Sequence, residues 1–162
     1  MSRGVQMTRS GGGRGKQLAS NRRARYDYHL LDRFEAGMVL TGTEVKSVRA
    51  GKIQLKESYV EIRDGEAYLV GAHISPYAHG NLQNHDPERR RKLLLNKREI
   101  DKLYGRTTRR GATIVPLSVY LKGSLIKLEI ALGQGKKRFD KREAEKRKEM
   151  EKEARLAIGR QD

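Results

Sequence analysis

Short alternating apolar runs, tight glycine turns and the absence of strand–helix–strand alternation predict a mainly β fold with flanking helices. The pattern in this 162-residue chain yields about six strands and few helices to cover an open sheet. A small closed antiparallel sheet, an OB-like barrel, fits, because closure removes the exposed edges. The expected organisation is a flexible basic leader over 1–16, an OB-like barrel over 17–135 and a basic tail over 136–162.

The elements follow in order. Ser10–Lys16 (Ser-Gly-Gly-Gly-Arg-Gly-Lys) is a cationic leader with nothing to bury. Tyr28–Arg33 and Met38–Thr41 read as short strands about a Glu35-Ala36-Gly37 turn. Thr43 reads as the cap of a short helix through Arg49. Glu44 then falls in the first turn, where the helix dipole favours an acid. Val45 and Val48 face inward, and Gly51 closes the helix. Ser58–Arg63 alternates, with Val60 and Ile62 on one face. Asp64-Gly65 turns it into Glu66–Ile74, since both central residues of such a hairpin need positive φ.

Ser75–Pro87 reads as a loop and Asn96–Arg106 as a helix. Asn96 and Glu99 have capping-box spacing, and Ile100, Leu103 and Tyr104 make an apolar stripe. A second hairpin runs through Thr113–Leu121, a Lys122-Gly123 turn and Leu125–Leu132. Val119 and Leu121 can there meet Ile126, Leu128 and Ile130. Phe139–Ile158 is charge-dense and rich in helix formers, but Ala144, Met150 and Leu156 are too sparse for a packed face. That tail is expected to be disordered when free and helical along an anionic partner.

The formal net charge is +16, and it is concentrated. Met1–Arg25 holds 7 basic residues and no acid, Glu88–Arg110 holds 10 and 3, and Lys136–Asp162 holds 11 and 7. The remaining body is slightly acidic. A quiet body with cationic segments suits a protein that grips a polyanion at particular places. The chain has no cysteine, which removes thiol chemistry and disulfides and fits a reducing cytoplasm. No apolar run approaches the length of a membrane span, and the basic N-terminus has no apolar core of a secretory signal.

Two constellations suggest chemistry. Arg89-Arg90-Arg91-Lys92 runs into Leu93-Leu94-Leu95 and then Asn96-Lys97-Arg98. It reads either as a solvated charge run before a core strand or as a phosphate grip beside an apolar ledge for a base or ribose. Arg22-Arg23 and Arg25-Tyr26 repeat the combination of cations and a ring. His73, His79 and His85 recur every six residues, a spacing that puts no pair on one helical face, so no metal is expected. Gly133-Gln134-Gly135-Lys136-Lys137 lacks the phosphate-loop spacing and reads as a hinge. Nothing assembles a nucleophile, base and orienter, so no catalysis and no cofactor is expected.

Several blocks stand in one colinear series: Asn21-Arg22-Arg23-Ala24-Arg25-Tyr26-Asp27-Tyr28, Phe34-Glu35-Ala36-Gly37, Gly42-Thr43-Glu44-Val45-Lys46-Ser47, Asp64-Gly65-Glu66-Ala67, Asn84-His85-Asp86-Pro87, Arg91-Lys92-Leu93-Leu94-Leu95-Asn96, and Gly135-Lys136-Lys137 with Asp140-Lys141-Arg142. The series closely resembles the small protein B family, the SsrA-RNA (tmRNA)-binding proteins of bacterial trans-translation. The resemblance implies an OB-like barrel that binds the tRNA-like domain of tmRNA and delivers it to stalled ribosomes, as a monomer in a 1:1 complex. It places Asn21, Glu44, Leu94 and Asn96 at the RNA, and Lys46, Arg91, Lys92 and Lys97 beside its phosphates. It sends the tail into the decoding centre and the empty mRNA channel through Gly135, Lys136, Lys137, Asp140, Lys141 and Arg142. Phe139 departs from the family's frequent His or Tyr; it keeps the ring and loses the ring's hydrogen bond. Glu44 repels phosphate, so it reads either as an acceptor for base or ribose donors or as a helix-start acid. Asn96 reads either as an RNA contact or as a cap. The alternative to this adaptor is a generic RNA-binding or ribosomal barrel whose tail is only a solvated charge run.

Overall fold

The computed structural model describes residues 14–78, 84–135 and 138–160. The leader before Arg14, the segment 79–83 (His79 included) and Lys136 and Lys137 lie outside the described residues.

Chain order is β1 (Gln17–Ser20), α1 (Arg23–Asp27), β2 (Tyr28–Met38), α2 (Gly42–Arg49), β3 (Ile53–Gln54), β4 (Tyr59–Arg63), β5 (Glu66–Val70), β6 (His73–Ile74), β7 (Arg91–Leu94), α3 (Lys97–Arg110), β8 (Thr113–Lys122), β9 (Leu125–Gly135) and α4 (Arg138–Arg160). The main sheet runs β1-β8-β4-β5-β7-β2-β9, and β8 also pairs with β9. That last pairing closes a six-stranded antiparallel ring, with β1 added along β8 and a separate β3–β6 pair beside it. The expected mainly β ring with flanking helices is therefore present.

The interior is filled from every strand of the ring by Val60, Leu69, Leu93, Val119, Leu128 and Ile130, with Ala36 from β2. Leu103 of α3 and Val48 of α2 join this core, both 0% exposed. Val45 is only half-buried and Tyr104 is 54% exposed, so the expected inward stripes narrow to Val48 and to Leu103 with Ile100.

Both hairpins form. Asp64 and Gly65 adopt φ of 52° and 76°, as the turn requires. The second turn is Gly123-Ser124 rather than Lys122-Gly123, because Lys122 still pairs with Leu125. Leu121 faces Ile126 and Val119 faces Leu128, as the alternation predicts. The strand after Asp64-Gly65 stops at Val70, where Gly71 turns at φ 86°, and His73–Ile74 joins the small sheet instead.

Three other boundaries differ from the sequence reading. Residues 35–37 do not turn; β2 runs unbroken and bends through a register shift between Leu30 and Arg33. Gly37 serves there as a strand residue against which Leu94 packs, since a Cβ on it would meet the Leu94 Cβ at 3.4 Å. Thr41, not Thr43, caps α2. The Gly133–Gly135 segment is the last part of β9 and not a hinge, with Gly135 paired to Tyr28. Helix α3 has both expected capping-box bonds, Glu99 N–H to Asn96 Oδ1 at 2.9 Å and Asn96 N–H to Glu99 Oε1 at 3.1 Å. It continues four residues past Arg106 to Gly111, whose φ of 66° ends it.

Gly133 lies under the Tyr28 ring: a Cβ there would sit 3.0 Å from Tyr28 Cβ and 3.1 Å from Cγ. The Tyr28 Cβ is fixed by the strand, so neither side can yield cheaply. Gly133→Ala is expected to lower unfolding free energy by about 1–3 kcal/mol, read as a lower urea midpoint at unchanged m value.

Candidate nucleic-acid interface

The ring places β7 and β8 three strand positions apart in either direction, on opposite walls. The residues singled out from sequence divide between those walls. Leu94 and Asn96 belong to β7 and its exit, while Asn21 is tied to β8 by Asn21 N–H to Leu117 O at 2.8 Å and Nδ2–H to Pro116 O at 2.9 Å. Arg22, Arg23 and Tyr26 stay with Asn21, on and before the short helix α1. Asn21 and Leu94 thus do not share one surface patch.

On the β7 side an apolar ledge is exposed. Leu94 is 55% exposed, Leu125 53% and Val39 44%. A cleft of about 330 Å³ lies between β7, α2 and the β8–β9 turn, lined by Leu40, Val45, Leu94 and Leu125 with Arg49 and Lys127. Asn96 is exposed beside it. Its Oδ1 caps α3, which leaves the Nδ2 donors without a partner among the described residues. The cap and the RNA contact are therefore compatible roles for the two ends of one amide. Lys97 and Arg98 are exposed and form no ion pair among the described residues, while Lys46 lies over the Tyr77 ring at 5.5 Å.

The basic cluster before the ledge is not a row of free cations. Arg90 reaches Glu61 at 3.6 Å and lies over the Tyr68 ring at 5.4 Å, and Lys92 reaches Glu66 at 2.9 Å. These exposed pairs are weak, so a phosphate can compete for either cation. Arg91 and Glu44 differ. Both side chains are 0% exposed, so the structure places them beneath the surface and not on it, where the sequence reading sets them. Arg91 Nε–H donates to Glu44 Oε2 at 2.8 Å, and its other nitrogens donate to the carbonyls of Ala72, Asp86 and Pro87. Arg89 completes the cluster with bonds of 3.1 and 2.5 Å to the two Glu44 oxygens.

Glu44 owes its place to the capping box of α2. Its carboxylate accepts from Thr41 N–H at 2.8 Å, while its own N–H donates to Thr41 Oγ1. Burial alone would push the Glu44 pKa up. Hydrogen bonds from Arg89, Thr41 and Arg91 outweigh it and hold the group at about 2. Burial pushes Arg91 down from its ordinary value, opposed by Glu44, and a guanidinium stays charged across any working pH. The cluster pins α2 to the chain entering β7, the two elements that carry Lys46 and Leu94. Glu44 and Arg91 are thus held inside the protein by this network, beneath the face that Lys46 and Leu94 present.

On the β8 side, α1 packs Ala24 against Val115, Leu117 and Ala131. Arg22 and Arg23 are exposed, and Arg23 lies over the Tyr26 ring at 4.7 Å. Helix α4 leaves β9 here and touches α1, with Tyr26 Oη–H donating to Glu145 Oε1 at 2.5 Å. Its described side chains, Arg142 among them, are exposed. The side chains of Phe139, Asp140 and Lys141 lie outside the described set.

His85 links Thr43 Oγ1 at 2.8 Å to the Ile74 carbonyl at 2.9 Å, and no group of metal-binding side chains assembles there among the described residues. No described helix is long and apolar enough to cross a membrane. Sequence reasoning passed over Glu35, whose carboxylate accepts from the Tyr120 hydroxyl and from Lys122 Nζ at 3.1 Å on the outer face of the ring. It also passed over Tyr59, although Val60 and Ile62 facing inward put Tyr59 on the outward phase.

The family model described as SmpB protein matches residues 18–160. An SsrA-binding protein of Enterococcus faecalis is 55% identical over 141 residues, covering 87% of this chain and 92% of the relative. One of Shouchella clausii is 53% identical over 144 residues, covering 89% and 92%. A solved chain from a study of tmRNA-SmpB and the center of the bacterial ribosome aligns at TM-score 0.63 and 45% identity, covering 78% of this chain and 92% of that one.

The buried carboxylate makes a prediction with a definite sign. Its folded pKa of about 2 lies below the ordinary 4.5. The stabilisation is therefore complete above pH 4.5 and is lost as pH falls toward 2, amounting to about 3 kcal/mol. Glu44→Gln leaves Arg91 buried without its counter-charge and is expected to cost about 3–5 kcal/mol at neutral pH. The same variant flattens the acid limb of stability against pH, measured by urea unfolding across that range.

Proposed function

The chain belongs to the SmpB protein family, and we propose that it binds the tRNA-like domain of tmRNA and delivers it to stalled ribosomes for trans-translation. The observation that carries this reading is identity of 50–55% with SsrA-binding proteins across about nine-tenths of the chain. The charge layout supports it, since a near-neutral ring with cationic flanks gives affinity without covering its own recognition face.

In this reading the β7 side takes the tRNA-like domain. Leu94 offers an apolar platform to an unpaired base or a ribose, and the Asn96 Nδ2 donors read an acceptor beside it. Lys46, Lys92 and Lys97 neutralise the phosphates around that point. Glu44 and Arg91 hold the two elements in register. Asn21, Arg22, Arg23 and Tyr26 serve the other wall, where the tail begins.

The tail is the probe. A helix of 23 residues spans about 34 Å at 1.5 Å per residue. With few apolar positions it gains little from the barrel, so it becomes fully ordered on contact with ribosomal RNA in the decoding centre and the unoccupied mRNA channel. A channel already filled by message excludes it by volume and offers its cations no free phosphate. Gly135, Lys136, Lys137, Phe139, Asp140, Lys141 and Arg142 mark the point where the tail would enter. The protein acts as a monomer, one per tmRNA, in the cytoplasm, and no catalytic step is assigned to it.

Truncation after Gly135 is expected to preserve binding of the tRNA-like domain and abolish peptide tagging on stalled ribosomes; loss of both together would refute the division of labour. Lys97→Ala is expected to weaken tmRNA binding and lower the slope of log affinity against log salt by about 1, measured by titration at several salt concentrations. Wild-type protein binding ordinary tRNA as well as the tRNA-like domain would count against the proposal as a whole.

A further inference from the structure

Two clefts meet at Asn21, on the wall opposite the Leu94 ledge. The larger, about 650 Å³, opens between α1 and the starts of β4 and β8, within the usual size of a small-ligand site. Tyr28 and Tyr59 both line it, and Tyr59 is 44% exposed. Backbone features set both rings. Tyr28 lies over Gly133, and Tyr59 follows a turn in which the Ser58 N–H and hydroxyl both donate to the Leu55 carbonyl, at 3.1 and 2.6 Å. Glu57 in that turn has φ of 62°, an uncommon conformation for a residue with a side chain. Gly71 packs against it, since a Cβ there would lie 3.3 Å from the Glu57 carbonyl oxygen.

The charges of this cleft cancel. Arg23 pairs with Asp27 at 3.3 Å, and Lys56 lines the same wall as Glu57. Such a space favours a planar, uncharged group over a phosphate.

The second cleft, about 480 Å³, has the opposite character: Arg14, Arg22, Arg25, Arg33 and Lys148 line it against the single acid Glu129. Arg14 reaches that acid at 2.8 Å and Arg33 at 3.9 Å, while Arg22 and Lys148 form no ion pair among the described residues, so the cleft keeps a positive excess. Ser118 also lines this cleft, 5% exposed, and its buried Oγ has no hydrogen-bond partner among the described residues. A hydroxyl donor among cations matches a phosphate oxygen. Asn21 lines both spaces; its Nδ2 is bound to Pro116 O and its Oδ1 has no partner among the described residues.

We propose that the paired clefts hold one unstacked nucleotide of an RNA strand, its base against Tyr28 and Tyr59 and its flanking phosphates in the cationic cleft. The proposal rests on the RNA-binding reading above but assigns a different surface from the ledge. A base must leave its pair to enter, so single-stranded RNA is preferred to duplex. Rings supply stacking without base identity, and the cations supply the salt-dependent part of the affinity. Lys148 belongs to α4, so an occupied cationic cleft also touches the tail.

The test uses the full chain with three probes: a fluorescein-labelled single-stranded RNA hexamer, a fully paired RNA hairpin and the tRNA-like domain of tmRNA. Wild type is expected to bind the hexamer more tightly than the paired hairpin. Tyr59→Ala is expected to weaken hexamer binding about tenfold or more with the salt slope kept, while Tyr59→Phe binds as wild type. Arg22→Ala is expected to lower the salt slope by about 1. In wild type, the ring resonances of Tyr28 and Tyr59 are expected to shift when the hexamer is added, a readout that needs no variant to fold. Hexamer binding indifferent to Tyr59→Ala, an equal loss in Tyr59→Phe, or unmoved ring resonances would each overturn the proposal. If those results come while wild type still binds the tRNA-like domain, only this inference falls; failure to bind that domain strikes the function itself.

Discussion

Closure of the six-stranded ring is the constraint behind everything else in this molecule. Long strands β2, β8 and β9 pair side by side, and the seam between β8 and β9 completes the circle. A ring this small fills its interior with its own side chains, so nothing can bind inside it. Function must then be carried on the outside, by whatever each wall presents. With β7 and β8 three positions apart, the molecule has two walls that cannot bend toward one another. An adaptor between two large RNAs needs that property more than it needs a pocket.

Charge is arranged on the same logic. The most basic stretch of the sequence is also the most internally neutralised, with Glu44, Glu61 and Glu66 taking up Arg89 through Lys92. Affinity for a polyanion rises with every unpaired cation, and so does attachment to the wrong one. Pairing the cluster lowers the general attraction, and in the proposed reading it leaves discrimination to Leu94 and Asn96. The buried Glu44–Arg91 pair adds little net stability compared with an apolar pair of the same volume, but its removal by halves is costly. Its geometry fixes where α2 stands relative to β7, and that registry decides whether Lys46 and Leu94 face one partner together.

Much of this was legible from sequence, for reasons that differ element by element. Asp64-Gly65 and the alternating strands of both hairpins carry their own local signal, because turn chemistry and period-two burial are short-range. The Asn96–Glu99 box was legible for the same reason. The unbroken β2 was not: Glu35-Ala36-Gly37 has the composition of a turn, and only the pairing of Gly37 with Leu94 and Lys127 across the sheet shows that it is strand. Arg91 was read as a surface cation because nothing local reveals that Glu44, 47 positions earlier, lies against it. Tyr59 was visible as an outward strand residue, but that it lines one cleft with Tyr28 depends on where α1 lies relative to β8. Family likeness points to the RNA; only tertiary geometry separates the exposed Leu94 and Asn96 from the buried Glu44 and Arg91.

The two-walled barrel also explains why the tail can remain simple. A helix with scattered apolar residues cannot choose its own direction by packing, so its direction must come from its root. That root is Gly135, hydrogen-bonded in register to Tyr28 at the end of the closed sheet, and α1 lies beside it. The ring is rigid on the scale of that connection. If the partner is gripped on the β7 wall, as proposed, it sets where the tail starts without any conformational signal crossing the protein. Sensing then reduces to whether the space ahead of the root is filled, and a charged helix that is only marginally stable by itself is well suited to that question. In the proposed reading it gains order when it finds free phosphate and loses nothing when it does not.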